Sequence, residues 1–223
     1  MEYNFRFGVL LRYVDEIVEG ILLTLQLSAT TMVIGLLIGL AVAVGGTNAS
    51  GWVRVLCRTY VDAIRNTPLL VQLFIVFFGL PSLGVRLNAN DAAVVALSIN
   101  LGAYCAEILR AGFESVHRAQ IEAGRALGLS AGQTFRHVVL FPAIKNIYPA
   151  LASQFVLLML ATSVVSSIGA TELFHQAAFI DSRTYRSFET YALITASYLL
   201  LTLVFRALFS AVYWAVFVRR SRA

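Results

Sequence analysis

The feature that most constrains this chain is a run without any charged side chain, from Gly20 to Val53. A helix needs about 20 apolar residues to cross a bilayer, so this run alone can span one. Only 13% of the residues are charged, whereas soluble domains carry about 25%. The charged residues are clustered between further long apolar runs. The sequence therefore predicts an all-α, polytopic membrane protein.

Five apolar segments are predicted to cross the membrane, and together they form a single transmembrane domain over residues 1–223. The third uncharged stretch is short, and it spans only if it continues through Glu107 to about Ala111. The fifth is interrupted only by Arg206, and at about 44 Å if straight it must tilt or protrude. The predicted spans are about 18–46, 66–85, 91–112, 146–171 and 190–218.

The charges of the loops predict the orientation, because short loops rich in Arg and Lys stay in the cytoplasm. The longest polar loop covers about 113–145, and the stretch from Arg110 to Lys145 carries five basic residues against two acidic ones. The amino terminus carries two arginines against four acidic residues, whereas the carboxyl end carries Arg219, Arg220 and Arg222. We therefore predict that the amino terminus is outside and the carboxyl terminus is cytoplasmic, as five spans require.

The composition argues against two other kinds of chemistry. The net charge of +5 could indicate nucleic-acid binding, but the basic residues lie at the ends of apolar segments and in one loop. No basic face for phosphate contacts is therefore expected. Cys57 and Cys105 have no partner at metal-binding spacing, so we predict neither a disulfide nor a metal site.

Residues 51–64, between the first two spans, are predicted to form a short helix. Trp52, Leu56 and Tyr60 recur every four residues, which is typical of a helix that lies on the membrane surface. The alternative is a buried connector, and the sequence leaves both possibilities open.

The strongest local pattern lies in the polar loop, around Glu122 and Gly124. Its small residues fall on one helical face, so that the backbone of another protein could approach closely. These small residues are Ala119, Ala123 and Ala126. Periodicity alone favours an ordinary loop helix with small residues.

Signals that end one helix and begin another follow directly. Gly128 can end the first helix in the left-handed conformation. Ser130 and Gln133 have the spacing of a capping box for a new helix. The loop is therefore predicted to contain an exposed helix, a sharp turn and a helix that re-enters the membrane.

Polar side chains inside the spans are the candidates for a substrate pathway, because a central charge costs about 2.5 to 3.5 kcal/mol on insertion scales. Structural alternatives exist: Glu107 can pair with Arg110, and hydroxyls often bond neighbouring helices. Gly35 and Gly39 are predicted to be helix-contact sites. The pathway candidates are Asn100, Tyr104, Glu107, Gln154, Thr162, Ser163, Ser166 and Arg206.

Several motifs occur in a fixed order along nearly the whole chain. The loop reads Glu122-Ala123-Gly124, then Gly128, Val138 and Leu140. The others are Gly20 to Ser28, Arg65-Asn66-Thr67-Pro68-Leu69-Leu70-Val71-Gln72, Tyr104 to Gly112, and Thr162-Ser163 through Ile168-Gly169 with Glu172-Leu173. In this order they resemble the membrane subunits of binding-protein-dependent ATP-binding-cassette importers, and within them the polar amino acid permease group.

The chain departs from the family pattern at three places. Gly124 replaces the second alanine of the Glu-Ala-Ala signature, and Phe141 stands where the proline usually is. Members often carry a lysine just before the Thr-Ser pair, but this chain reads Met159-Leu160-Ala161. Arg206 is a candidate to compensate for that lysine.

The resemblance implies the type I importer permease architecture in the bacterial cytoplasmic (inner) membrane. It implies a second, identical or similar permease subunit, an ATPase dimer that binds ATP and Mg, and a periplasmic or extracellular solute-binding protein. Glu122, Ala123, Gly124 and Gly128 would dock in a cleft of the ATPase. ATP would be hydrolysed on that partner, so neither a catalytic residue nor a cofactor is expected on this chain.

Two other functions compete with an importer subunit. A passive channel would not need a loop patterned for docking to an ATPase. An intramembrane enzyme would need a nucleophile and base within a span, whereas His117, His137 and His175 are scattered. The sequence does not identify the substrate: a cationic solute would favour Glu107 and an anionic one Arg206.

Overall fold

The computed structural model describes residues 4–48 and 51–219, and this part of the chain is helical without strands. Arg220 and Arg222, which were used to predict the orientation, lie outside the described residues. The α-helices are α1 (Val14–Asn48), α2 (Gly51–Arg65), α3 (Leu69–Phe74), α4 (Ala89–Glu114), α5 (Arg118–Ala126), α6 (Ala131–Thr134), α7 (Leu140–Ala161), α8 (Leu173–Thr184) and α9 (Ser187–Tyr213).

Short stretches of other helix types extend several of these elements. 3₁₀-helical turns cover Phe7–Tyr13 before α1, Leu80–Leu83 after α3 and Thr162–Ile168 after α7. π-helical turns cover Ile75–Gly79, Phe135–Val139 and Trp214–Val218. Four continuous helical stretches are long and apolar enough to span a membrane: Phe7–Thr47, Ala89–Glu114, Ala131–Ile168 and Ser187–Val218.

The predicted second span, 66–85, is not one straight helix. Its helical part, Leu69–Leu83, is too short to cross alone, since a crossing takes about 20 residues. It is joined to α2 at a bend of 109°. Pro68 stands at the bend, where it lacks a backbone N–H and disfavours the helical conformation of Thr67. The count reaches five only when this bent pair is taken as one span.

Helices α1 and α4 form the centre of the bundle, and glycines bring them close together. A Cβ atom added at Gly39 would lie 2.5 Å from the Cβ of Cys105, and one added at Gly35 would lie 2.7 Å from Leu101. From the other side, a Cβ at Gly102 would lie 2.5 Å from Ile38. These contacts leave no room for a side chain. The prediction that Gly35 and Gly39 are helix-contact sites is confirmed.

Helix α8 was not predicted, and a buried carboxylate fixes its start. Glu172 accepts hydrogen bonds from the backbone N–H groups of Phe174 and His175, both at 2.9 Å. The Tyr198 hydroxyl of α9 donates to the same carboxylate at 2.6 Å. The N–H of Leu173 donates to the Thr24 hydroxyl of α1 at 3.2 Å. Glu172 therefore joins α8 to α9, and the neighbouring Leu173 N–H joins α8 to α1 at the same end of the bundle.

Candidate functional site

A polar network lies where the α2–α3 bend meets the middle of α4. The Asn100 side-chain amide donates to Oε1 of Gln72 at 2.9 Å. Nε2 of Gln72 in turn donates to the Ile64 carbonyl at 2.8 Å, and to the Thr67 carbonyl and hydroxyl at 3.0 and 2.8 Å. Gln72 is buried. This amide therefore occupies carbonyl groups that the Pro68 break leaves without helical partners.

Charged and aromatic groups continue the network along α4. The guanidinium of Arg65 lies over the Tyr104 ring, 5.6 Å from its centroid. Its Nη1 is 3.8 Å from Oε1 of Glu107. Arg110 holds the same carboxylate more closely, with Nε at 3.0 Å and Nη2 at 2.5 Å, and also pairs with Glu114 at 2.7 Å. The predicted pairing of Glu107 with Arg110 is confirmed.

Three of the predicted pathway residues are thus brought to one site. Asn100, Tyr104 and Glu107 follow one face of α4, and Arg65 and Gln72 meet them from the bend. These two partners belong to the Arg65–Gln72 motif, which was recognised by resemblance but not assigned to the pathway. The sequence did carry a signal for Arg65 and Gln72, because they are polar residues of a motif in which Pro68 breaks the helix.

The polar residues of the fourth span are arranged differently. The hydroxyls of Thr162, Ser163 and Ser166 each donate to a carbonyl three residues earlier, at 2.7 to 2.8 Å. All three hydroxyls thus bond their own helical stretch, and Thr162 also interacts with the Tyr198 hydroxyl of α9. Gln154 is half-buried on α7, and no hydrogen bond to another described residue accompanies it. These four residues do not join the network at the bend.

Arg206 lies in a separate groove between α7 and α9. The groove has a volume of about 400 Å³, and its polar wall includes Ser153, Thr202 and Ser210. Arg206 is exposed and forms no ion pair with the described residues. The Tyr148 hydroxyl of α7 donates to the Phe209 carbonyl at 2.8 Å and closes one side of the groove. Arg206 therefore presents an uncompensated charge on the surface of the bundle.

The polar loop has the predicted helix, turn and re-entry helix. Helix α5 ends at Ala126, and Gly128 has a φ of +80°, in the left-handed region. Ser130 caps α6: its hydroxyl accepts from the Gln133 N–H at 3.3 Å, and the Gln133 side chain accepts from the Ser130 N–H at 2.9 Å. The glycine turn and the capping box are both confirmed.

The two sides of α5 differ sharply. Gly124 is buried, and a Cβ added there would lie 3.2 Å from Val138 and 3.3 Å from Thr134. Gly124, which replaces the second alanine of the family signature, therefore lies where α5 packs against the re-entry helix, at Thr134 and Val138. Glu122 and Ala123 are exposed, as are Ala119 and Ala126. Leu127, which was not predicted to belong to the docking surface, is 82% exposed at the end of α5.

Most of this chain matches known membrane transport proteins. Residues 35–218 match the family described as binding-protein-dependent transport system inner membrane component. The chain is 36% identical to the probable glutamine ABC transporter permease protein of Bacillus subtilis, over 83% of this chain and 86% of that protein. It is 33% identical to the octopine transport system permease protein of Rhizobium radiobacter, over 92% and 87%.

Solved structures show the same fold. An amino acid ABC transporter, crystallised with histidines, matches with a TM-score of 0.90 and 38% identity, over 96% of this chain and 100% of that chain. The methionine transporter MetNI, in an inward-facing conformation, matches with a TM-score of 0.70 and 18% identity, over 95% and 99%. The predicted importer permease architecture is confirmed. The chain belongs to the family of binding-protein-dependent transport system inner membrane components, and it is the membrane-spanning permease subunit of such an importer.

Proposed function

We propose that this permease imports a polar amino acid across the bacterial inner membrane, receiving it from a solute-binding protein. The relatives named for glutamine and octopine and the amino acid transporter of matching fold support this substrate class. The observation that carries the proposal is the buried Gln72 bonded to the half-buried Asn100, a network that Tyr104 and the exposed Arg65 extend along α4. Such groups are costly in a membrane, so their concentration at a bend indicates a pathway.

The network suits a zwitterionic solute. Arg65 provides a cation for an α-carboxylate, and the amides of Gln72 and Asn100 provide both donors and acceptors for a polar side chain. Glu107 has the role of holding Arg65 and Arg110 in this arrangement. Gln154, Thr162, Ser163 and Ser166 are proposed to line the same route further along α7, and Arg206 is proposed to meet the solute in the α7–α9 groove.

The loop around α5 is proposed to couple this movement to ATP hydrolysis. Its exposed face, with Glu122 and Ala123, would dock in an ATPase dimer that holds ATP and Mg. Gly124 and Gly128 would set the position of the helix against the re-entry helix. In this arrangement the loop and the carboxyl terminus are cytoplasmic, the amino terminus is outside, and a second permease subunit completes the pathway.

Two measurements test this function. Thermal-shift screening of the cognate solute-binding protein against the amino acids should show stabilisation by polar ones, about 2.7 kcal/mol at a ligand concentration 100 times Kd. Affinity purification of the tagged permease should recover an ATPase subunit. Stabilisation only by sugars or inorganic ions would contradict the substrate class. A permease that conducts solute without the ATPase would instead indicate a passive channel.

A further inference from the structure

Helix α2 presents three faces with different chemistry. Val53, Cys57 and Val61 belong to the face that is packed against the bundle. At about 100° per residue, a second face collects apolar side chains that the chain does not cover. They are Trp52, Val55 and Leu56, which are 72%, 64% and 61% exposed.

The third face is charged and adjoins the apolar one. Arg54, Arg58, Asp62 and Arg65 follow each other at four- and three-residue steps. These four residues border a cavity of about 610 Å³ between α2 and the ends of α1 and α4. Because Arg54 and Arg58 start this row one turn apart, they lie at the same end of α2 as Trp52.

The other charges in this cavity are mostly engaged with one another. Glu107 and Glu114 are both held by Arg110, and Arg65 lies between Tyr104 and Glu107. Arg54 and Arg58 are exposed and form no ion pair within the described part of the chain. Asp62 is the nearest carboxylate along the row, one turn beyond Arg58. Arg54 and Arg58 therefore present two cations without an ion-pair partner among the described residues, beside an exposed apolar stripe.

We propose that α2 is a binding site for an anionic phospholipid, with the phosphate held by Arg54 and Arg58 and the acyl chains against Trp52, Val55 and Leu56. Charge complementarity selects this occupant, since guanidinium groups match phosphate oxygens with two parallel hydrogen bonds. Basic residues beside apolar ones are also the pattern of a helix end at the headgroup level, and Trp52, Arg54 and Arg58 lie at the start of the bent pair α2–α3. This site does not depend on the identity of the transported solute.

The test uses the purified full-length permease with its partner ATPase, in nanodiscs that contain phosphatidylglycerol and phosphatidylcholine in equal parts. Native mass spectrometry then measures which lipid stays bound. We expect a preference for phosphatidylglycerol that falls about 5-fold for each arginine removed in Arg54→Gln and Arg58→Gln, equivalent to about 1 kcal/mol per basic residue. The double variant Arg54→Lys/Arg58→Lys keeps the charge but loses the paired guanidinium hydrogen bonds, so it should retain only part of the preference.

The matched control is Arg118→Gln/Arg136→Gln, which removes the same charge from exposed positions that do not line this cavity. An equal loss of lipid preference in both double glutamine variants would overturn the proposal. Inorganic phosphate that displaces the lipid as well as glycerophosphoglycerol does would show a soluble-anion site and also overturn it. A Trp52→Ser/Leu56→Ser variant provides a further test. If it converts the permease dimer into monomers and leaves the lipid preference intact, the proposal is overturned, because a second copy of the chain then covers this face.

Discussion

Asn100 of α4 donates a 2.9 Å hydrogen bond to Gln72, which in turn holds the broken backbone at Ile64 and Thr67. The central helix of the bundle is thereby joined to the one bend among its candidate spans in the described residues. A solute that binds Asn100 or Gln72 must compete with this bond. In the proposed function, the network would therefore connect recognition of a solute to the position of α2 and α3.

Replacing Asn100 with Leu should impair transport more than folding. The change leaves Oε1 of Gln72 without its donor inside the bundle, at a cost of about 1 to 3 kcal/mol. We expect the initial rate of uptake at limiting solute to fall about ten-fold, with the ATPase still bound. Ser167→Ala is the matched control, because that exposed hydroxyl donates only to Val164 of its own turn. Equal uptake by Asn100→Leu and Ser167→Ala would contradict the role of the network.

Replacing Arg206 with Leu should leave the folded protein intact and reduce uptake. Arg206 has no ion pair to lose among the described residues, and a charge inside a membrane is itself unfavourable. Thermal unfolding in detergent should therefore be unchanged or shifted upward, while Arg206→Lys keeps the charge and most of the uptake. Unchanged uptake together with unchanged folding in Arg206→Leu would remove this residue from the pathway.

Replacing Gly124 with Val should uncouple ATP hydrolysis from transport. Even a Cβ atom there would press on Val138 and Thr134, and overpacking costs about 1 to 3 kcal/mol. The docking surface of α5 would consequently shift, and the stimulation of ATPase activity by loaded binding protein should fall several-fold. Gly132→Val is the control, since a Cβ at that position meets nothing within 4 Å. Equal stimulation in both variants would show that the packing of α5 against the re-entry helix is not required for coupling.

The proposed orientation can be tested with two single thiols. In a background of Cys57→Ser and Cys105→Ser, Tyr185→Cys and Leu127→Cys place a thiol at sites that are 86% and 82% exposed. A membrane-impermeant maleimide applied to spheroplasts should label position 185 at once and position 127 only after permeabilisation. The reverse pattern would place the α5 loop outside and exclude its docking to a cytoplasmic ATPase.

Patterns that depend on neighbours along the chain were predictable from the sequence. The apolar runs indicated the four long apolar helical stretches, and the spacing of Ser130 and Gln133 located the start of α6, because both features are local. The pairing of Glu107 with Arg110 could be predicted for the same reason, since three residues make less than one helical turn. A helix contact at Gly35 and Gly39 was expected from their small size, whereas its partner, α4, is known only from the structure.

Features that depend on packing were not predictable in this way. The network of Gln72, Asn100 and Arg65 requires α3 to pack against α4 after the bend, and the hydropathy of 66–85 predicted a span without indicating that bend. Glu172 lies between the predicted fourth and fifth spans, yet its carboxylate is buried, and Tyr198 and the first N–H groups of α8 satisfy it. Burial of this kind arises from the fold rather than from local composition.

The central claim is that this chain moves a polar amino acid only when an ATPase and a binding protein drive it. The most direct test measures uptake of radiolabelled amino acids into proteoliposomes that contain the permease and its ATPase, with ATP enclosed and binding protein outside. The account predicts uptake of a polar amino acid that stops when ATP, the ATPase or the binding protein is left out. Uptake that continues without ATP, or that needs no binding protein, would contradict it.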